Sequence, residues 1–144
     1  MLVVTAGVVW WMLNRPNPDR DAILQLLQQL ESAAETGNAD MFESGLTLDY
    51  GDRFGHDRET VTDRVMDKAA DIGNLDVQLS NIEVDIDSES GRATAKFRVE
   101  LVGDGAQNDP DAEELRSRRR FVVSVRKEGP SWYVQRADVV YSMF

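Results

Sequence analysis

Apolar residues in the first half of the chain recur at every third or fourth position, the periodicity of an amphipathic helix. The clearest stripe consists of Ile23, Leu26, Leu27, Leu30, Ala33 and Ala34. Asn17 is placed to cap this helix, Pro18 suits its first turn, and Gly37 suits its end. The pattern therefore predicts a first helix between Asn17 and Gly37.

Two further helices are predicted before the period changes. Asn38 can cap a short helix through Met41 and Phe42. Asp57 can cap a third helix that ends at Gly73. The buried face of this third helix is expected to hold Val61, Val65, Ala69 and Ile72. The segment "LTLDYGDRFGH" between the second and third helices is predicted to be a loop or a small hairpin.

From Leu75 onward the apolar period is two, as expected for half-buried strands. The alternating residues are Leu75, Val77 and Leu79, followed by Ile82, Val84 and Ile86. The second set is shifted by one residue, which predicts a β-bulge near Ser80 and Asn81. Three more strands are predicted over 92–102, 118–128 and 131–142. Helices followed by a strand meander predict an α+β domain, with the helices on one face of a curved antiparallel sheet.

The opening segment stands apart because residues 1–13 contain no charged side chain. As a helix it would reach about 20 Å, short of the roughly 30 Å hydrocarbon core of a bilayer. No basic residue precedes it, and no small-residue cleavage pair follows it, so a signal peptide is disfavoured. Adjacent Trp10 and Trp11 suit a membrane interface. We expect a truncated membrane anchor over 1–13, a linker over 14–18 and a folded domain over 19–144, with a buried strand or helix as the alternative for the opening segment.

Composition narrows the classes of function. A chain of 144 residues suits one domain with one core. Cysteine is absent, which removes disulfides, thiol catalysis and thiolate metal sites. The net charge of −10 argues against general nucleic-acid binding, because phosphates require a basic face.

Three segments resemble the nuclear transport factor 2-like superfamily, which includes ketosteroid isomerase, SnoaL-type cyclases and scytalone dehydratase. They are "AAETGNADMFESGL", "LDYGDRFGHDRETV" and "GPSWYVQRADV". The resemblance implies a cone-shaped, cystatin-like roll in which the sheet wraps around the third helix and leaves an apolar pocket. The residues expected to line this pocket are Phe42, Tyr50, Val65, Phe97, Val99, Phe121, Val123 and Trp132. The resemblance also implies a homodimer through the outer face of the sheet.

The layout is also similar to bacterial single-span proteins that carry such a domain outside the cytoplasmic membrane. This similarity favours an inner-membrane anchor with the domain in the periplasm. Arg15 and Arg20 follow the apolar segment and by the positive-inside rule favour a cytoplasmic domain. Both orientations stay open.

Few residues offer catalytic chemistry. His56 is the only histidine, and it shares a segment with Tyr50 and Asp49. Tyr50 and His56 are therefore the candidate catalytic pair, because an isomerase of this superfamily combines a carboxylate base with a tyrosine oxyanion donor. The inward strand positions are all apolar, however, and a catalytic cavity needs an ionisable group in apolar surroundings.

Metal and cofactor signals are weak. The acids of "DIDSESG" do not match the spacing of a calcium loop, and a turn between strands explains them. The acidic loop "GDGAQNDPDAEE" and the basic "RSRRRF" are typical of solvated segments. We expect neither a metal nor a cofactor.

Three functions are consistent with these patterns. The first is a membrane-tethered, non-catalytic domain that binds a small apolar ligand or an envelope protein. The second is an isomerase or dehydratase that uses Tyr50 and His56. The third is a structural dimerisation module, which requires a filled pocket and an apolar outer sheet face.

Overall fold

The computed structural model describes residues 17–103 and 117–140. The predicted anchor and all of the predicted linker except Asn17 and Pro18 lie outside these residues. The helices and strands follow in the order α1 Pro18–Thr36, α2 Ala39–Ser44, α3 Arg58–Ile72, β1 Asp76–Asp87, β2 Arg92–Val102, β3 Ser117–Glu128 and β4 Ser131–Val140. The predicted order of three helices and four strands is confirmed. No helix within the described ranges is long and apolar enough to cross a membrane.

The predicted helix boundaries are confirmed by their caps. The side chain of Asn17 accepts hydrogen bonds from two backbone N–H groups in the first turn of α1. The side chains of Asn38 and Asp57 cap α2 and α3, and each accepts one hydrogen bond from a backbone N–H group, that of Met41 and that of Thr60. Gly37 follows α1 with φ of 67°, a left-handed conformation that glycine adopts without a Cβ clash. Local sequence signals thus suffice to place the helices.

The four strands form one antiparallel meander in the order β1-β2-β3-β4. The register between β1 and β2 shifts between Ser80 and Glu83, and Asn81 has φ of 53°. This confirms the predicted bulge. Because of the bulge, apolar residues on both sides of Asn81 contact the helical side of the sheet.

A second bulge, not predicted, interrupts β4. Ser124 pairs with Arg136 and Val125 with Val134, so Gln135 has no opposite residue in β3. Two consecutive carbonyl groups, those of Val134 and Gln135, accept hydrogen bonds from the loop after α2. In a regular strand successive carbonyls point to opposite edges, so this arrangement depends on the bulge.

The main core lies where α1 packs against the sheet. Ile23 on α1 and Val125 on β3 are almost wholly buried. At one end of this core, the Oδ1 atom of Asp19 accepts hydrogen bonds from Trp132 Nε1 and Lys127 Nζ, both at 3.1 Å. The first turn of α1 is thereby fixed to the β3–β4 hairpin.

Helix α3 packs against α1 and α2, and its C-terminal end reaches the sheet. Ile72 and Leu75 join a second, smaller core with Ala34 of α1. Nearer the N-terminal end of α3, Val61 and Val65 are only half-buried, because their face borders a cavity rather than packed strand residues.

Gly103 limits how closely α3 can approach the sheet. A Cβ at this position would lie 1.9 Å from Ile72 Cγ2 and 2.7 Å from the Gly73 carbonyl oxygen.

We expect Gly103→Ala to lower the free energy of unfolding by about 1–3 kcal/mol, the usual cost of overpacking. Urea denaturation measures this change. Gly51→Ala is the control, because its Cβ would have no atom nearer than 4.0 Å, and it should change stability by less than about 0.5 kcal/mol. Equal stability of the two variants would contradict the steric explanation.

A candidate ligand cavity

A cavity of about 340 Å³ lies between α3 and the sheet, with α1 and α2 completing its wall. Its surface is formed almost entirely by apolar side chains. The structure places these predicted lining residues around it: Phe42, Tyr50, Val65, Phe97, Val99, Phe121 and Val123. The rings of Phe97 and Phe121 stack with their centroids 6.0 Å apart.

Trp132 does not line this cavity, so that expectation is wrong. Its ring is buried in the main core, and its Nε1 atom donates to Asp19 under the first turn of α1. Alternation along β4 identifies the face on which a side chain lies but not its distance along the sheet. Trp132 has the expected face and lies at the wrong end of the strand.

Tyr50 is carried into the core by the loop that follows α2. Backbone N–H groups of Thr47 and Gly51 donate to the carbonyls of Val134 and Gln135, at 2.9 and 3.2 Å. These bonds hold the loop against the bulged edge of β4. Tyr50 lies between the two attachment points and is 5% exposed. Its phenol is the only neutral polar side chain among the described residues that line the cavity.

Asp52 is the buried partner of Tyr50, and the sequence analysis did not identify it. Its side chain is 4% exposed. Asp52 Oδ1 accepts hydrogen bonds from the backbone N–H groups of Phe54 and His56, at 2.9 and 3.1 Å. Asp52 Oδ2 accepts a hydrogen bond from the Tyr50 hydroxyl at 3.3 Å. Burial alone would raise the pKa of Asp52, but these backbone donors and the neighbouring His56 hold it below its usual value.

The environment keeps the Tyr50 hydroxyl protonated. Burial raises the pKa of Tyr50 well above its ordinary value, and the carboxylate of Asp52 raises it further. Tyr50 therefore acts as a hydrogen-bond donor. A phenolate would have to form in apolar surroundings beside a negative charge.

His56 lies behind Asp52 and does not line the cavity. Its Nδ1 atom is 3.3 Å from Asp52 Oδ2, and its side chain is 21% exposed. Asp52 also borders a wider polar groove of about 820 Å³, which includes Asp85, Arg92 and Arg136. Tyr50 and Asp52 thus connect the apolar cavity to a polar groove, and His56 is hydrogen-bonded to Asp52.

Asp49 takes no part in this arrangement, although it belongs to the same segment. Its carboxylate pairs with Arg126 through two hydrogen bonds of 2.9 Å. This guanidinium lowers the pKa of Asp49 to about 2. Asp49 therefore fastens the loop to β3 and has no free oxygen directed into the cavity wall.

The cavity has charged residues at its edge, contrary to the expectation that it lacks ionisable groups. They are Glu31, Arg64, Lys68 and Arg119. Arg119 continues the inward alternation of Phe121 and Val123 and was detectable in the sequence. The other three lie on helices beside the apolar stripes, so strand alternation could not reveal them. Burial raises the pKa of Glu31, and neighbouring Glu35 and Asp76 raise it further.

No group of three or more metal-ligating side chains occurs within 17–103 and 117–140. The expected absence of a metal or cofactor stays a prediction, because it also concerns residues outside these ranges.

Comparison with known proteins identifies the fold. The family model described as a SnoaL-like domain matches residues 16–138. A candidate scytalone dehydratase from Novosphingobium aromaticivorans superposes with a TM-score of 0.68 at 15% identity, over 86% of this chain and 84% of that chain. A candidate aromatic ring hydroxylase from the same organism gives 0.67 at 19% identity, over 89% and 92%. A nuclear transport factor 2-like protein from Cytophaga hutchinsonii gives 0.64 at 17% identity, over 85% and 98%. No curated protein matches this chain in sequence.

The hydrogen-bonded carboxylate of Asp52 makes a testable contribution to stability. Its folded-state pKa is lowered, so the carboxylate stabilises the fold above the ordinary aspartate pKa, and this contribution is lost as the pH falls through the folded-state pKa. Asp52→Ala leaves two backbone N–H groups without an acceptor and should cost about 1–3 kcal/mol at neutral pH. Denaturation across a pH series should show the difference from wild type narrowing below about pH 4.

Asp63→Ala on the exposed face of α3 is the control for this measurement. It should change stability by less than about 0.5 kcal/mol. A pH-independent difference between wild type and Asp52→Ala would contradict the role given to the carboxylate.

Proposed function

Because this chain belongs to the SnoaL-like domain family, we propose that its domain binds a small, mainly apolar ligand without transforming it. The observation that carries this proposal is the cavity of about 340 Å³, whose wall is apolar on both its helical and its strand sides. Ligand sites of this kind are concave and mostly apolar, with few polar groups, and measure roughly 300–1,000 Å³. One structural neighbour is named as a candidate aromatic ring hydroxylase, which is consistent with a ring-sized ligand.

The polar contact available to such a ligand is the Tyr50 hydroxyl. It already donates to Asp52 at 3.3 Å, a long hydrogen bond with which an acceptor placed closer to the hydroxyl can compete. A carbonyl or hydroxyl oxygen would suit this position. The site thus provides orientation by one donor and affinity by apolar contact.

An isomerase or dehydratase is the second candidate. The observation in its favour is the hydrogen-bonded series Tyr50, Asp52 and His56, which links the cavity to the polar groove. In such an enzyme Tyr50 would stabilise a developing oxyanion while Asp52 and His56 accept a proton. Binding without chemistry is favoured because His56 is outside the cavity and Asp52 is shielded behind Tyr50.

A purely structural dimerisation module is disfavoured by two features. The pocket is open rather than filled. The outer face of the sheet carries exposed charges, including Lys96 and Arg98. A homodimer through this face stays a proposal, supported by the family resemblance.

Ligand binding can be tested with a neutral fluorescent probe, N-phenylnaphthylamine. The wild-type domain should bind it with enhanced emission and should be stabilised by it, by about 2.7 kcal/mol at a hundredfold excess over the dissociation constant. Val65→Trp places an indole in the cavity and should weaken binding at least about tenfold, because the ring occupies the space of the probe.

Leu48→Trp is the matched control, because Leu48 is 85% exposed and is not among the residues that line the cavity. Equal binding by both tryptophan variants would exclude this cavity as the site. Turnover of enol or epoxide substrates that decreases in His56→Ala would exclude the non-catalytic function in favour of the enzyme.

Tethering to the bacterial inner membrane, with the domain in the periplasm, is a further part of the proposal. It is supported by the uncharged segment 1–13 and by Trp10 and Trp11. In bacterial cells that express the full chain, we expect alkaline carbonate to leave the protein in the membrane pellet, whereas residues 19–144 alone should be released. Release of the full chain would contradict the tether.

A further inference from the structure

Positively charged side chains lie at the exposed edge of the cavity. Among the described residues that line it, those that are exposed are Arg64, Lys68 and Arg119, and all three are cations. This concentration occurs in a chain whose net charge is −10. We call the exposed edge of the cavity formed by these three residues its mouth, and their charges are opposite in sign to the net charge of the chain.

The positions of these cations follow from the secondary structure. Arg64 and Lys68 are one turn apart on α3, which places their Cβ atoms about 5–6 Å from each other. They flank Val61 and Val65, whose side chains form the helical wall. Arg119 extends from β3 on the same face as Phe121 and so approaches from the opposite wall.

The three cations have donors for a ligand, although Nη1 of Arg119 already donates to the backbone carbonyl of Arg118 at 2.8 Å. Within 17–103 and 117–140, none of them forms an ion pair, whereas Arg58 and Arg126 pair with Glu43 and Asp49. Long basic side chains can extend their aliphatic stems over an apolar wall and leave the charged ends in water. An anionic group held there keeps part of its hydration, so it avoids the desolvation cost of a buried ion pair.

Glu31 is the one acid among the described lining residues, and it is on another side of the cavity. It is close to Glu35 of α1 and to Asp76 at the start of β1. Burial disfavours its charged form and raises its pKa. Glu31 is thus on α1 beside other acids, whereas the three cations are on α3 and β3.

We propose that the ligand is an anionic amphiphile, with its hydrocarbon part in the cavity and a carboxylate at the mouth beside Arg64, Lys68 and Arg119. A guanidinium matches a carboxylate with two parallel hydrogen bonds, and two of the three cations are arginines. This inference rests on the proposed ligand-binding function and specifies the class of ligand. The apolar wall favours the hydrocarbon part of the ligand, and the cations at the mouth favour its negatively charged group.

Three probes of equal chain length separate these two contributions. Decanoate, decanol and decylamine are each titrated into the full chain, and binding is measured by calorimetry. The chain is held in detergent-free nanodiscs or, if the chain is released from membranes, in solution. Decanoate should bind most tightly and decylamine least tightly. The affinity for decanoate should decrease as salt is raised from low to physiological concentration, while the affinity for decanol stays within about twofold.

Adjacent arginines on β3 provide a matched pair of variants. Arg119 lies on the cavity face, whereas Arg120 is exposed on the opposite face of the sheet. Arg119→Gln should weaken decanoate binding about two- to fivefold and leave decanol unchanged, while Arg120→Gln should change neither. The double variant Arg64→Gln/Lys68→Gln should weaken decanoate binding about tenfold.

The outcomes distinguish this inference from the proposed function. Equal affinities for decanoate and decanol, unaffected by the charge variants, would overturn the anionic ligand and leave the apolar site standing. Tighter binding of decyl phosphate than of decanoate, with the same sensitivity to the variants, would overturn the carboxylate assignment. If no probe binds, or if the probes bind and Val65→Trp weakens none of them, the proposed function itself is wrong.

Discussion

The arrangement of this domain depends on the backbone hydrogen bonds between β4 and the loop after α2. The N–H of Val134 donates to the carbonyl of Gly45, and its own carbonyl accepts from Thr47, both at 2.9 Å. An edge strand without such bonds would leave these groups unpaired, at a cost comparable to a lost hydrogen bond for each one that is buried. The same bonds carry Tyr50 into the core and determine where the chain turns toward α3.

The position of Tyr50 decides how polar the cavity is. A buried carboxylate is tolerated only when its oxygens are hydrogen-bonded, and Asp52 accepts hydrogen bonds from two N–H groups of its own loop and from the Tyr50 hydroxyl. Asp52 consequently lies behind Tyr50, on the side of the polar groove. A phenol rather than a carboxylate therefore lines the cavity. The cavity is consequently better suited to holding an apolar molecule than to removing a proton from one.

Local patterns predicted the fold more completely than the site. Caps such as Asn17 and Asp57 act within one helical turn, so the sequence alone places the helices. The bulge at Asn81 shifts the alternation of apolar residues by one position, and this shift in the sequence predicts the bulge. The bulge at Gln135 leaves the same signal, because Trp132 and Val134 are followed by apolar residues at 137 and 139, but it was missed. Burial of Asp52 leaves no such signal, because its donors are backbone groups whose direction depends on the folded loop.

The charges at the mouth of the cavity act on a nearby ligand differently from the net charge of the whole protein. A chain with net charge −10 repels anions at long range, but at physiological salt this field is screened over about 8 Å. Within that distance, Arg64, Lys68 and Arg119 are the exposed charged residues among the described residues that line the cavity. The unfilled space beneath them lacks dispersion contacts, which a hydrocarbon can restore. Attraction at the mouth and contact within the cavity therefore favour the same molecule, one that is apolar along its length and negative at one end.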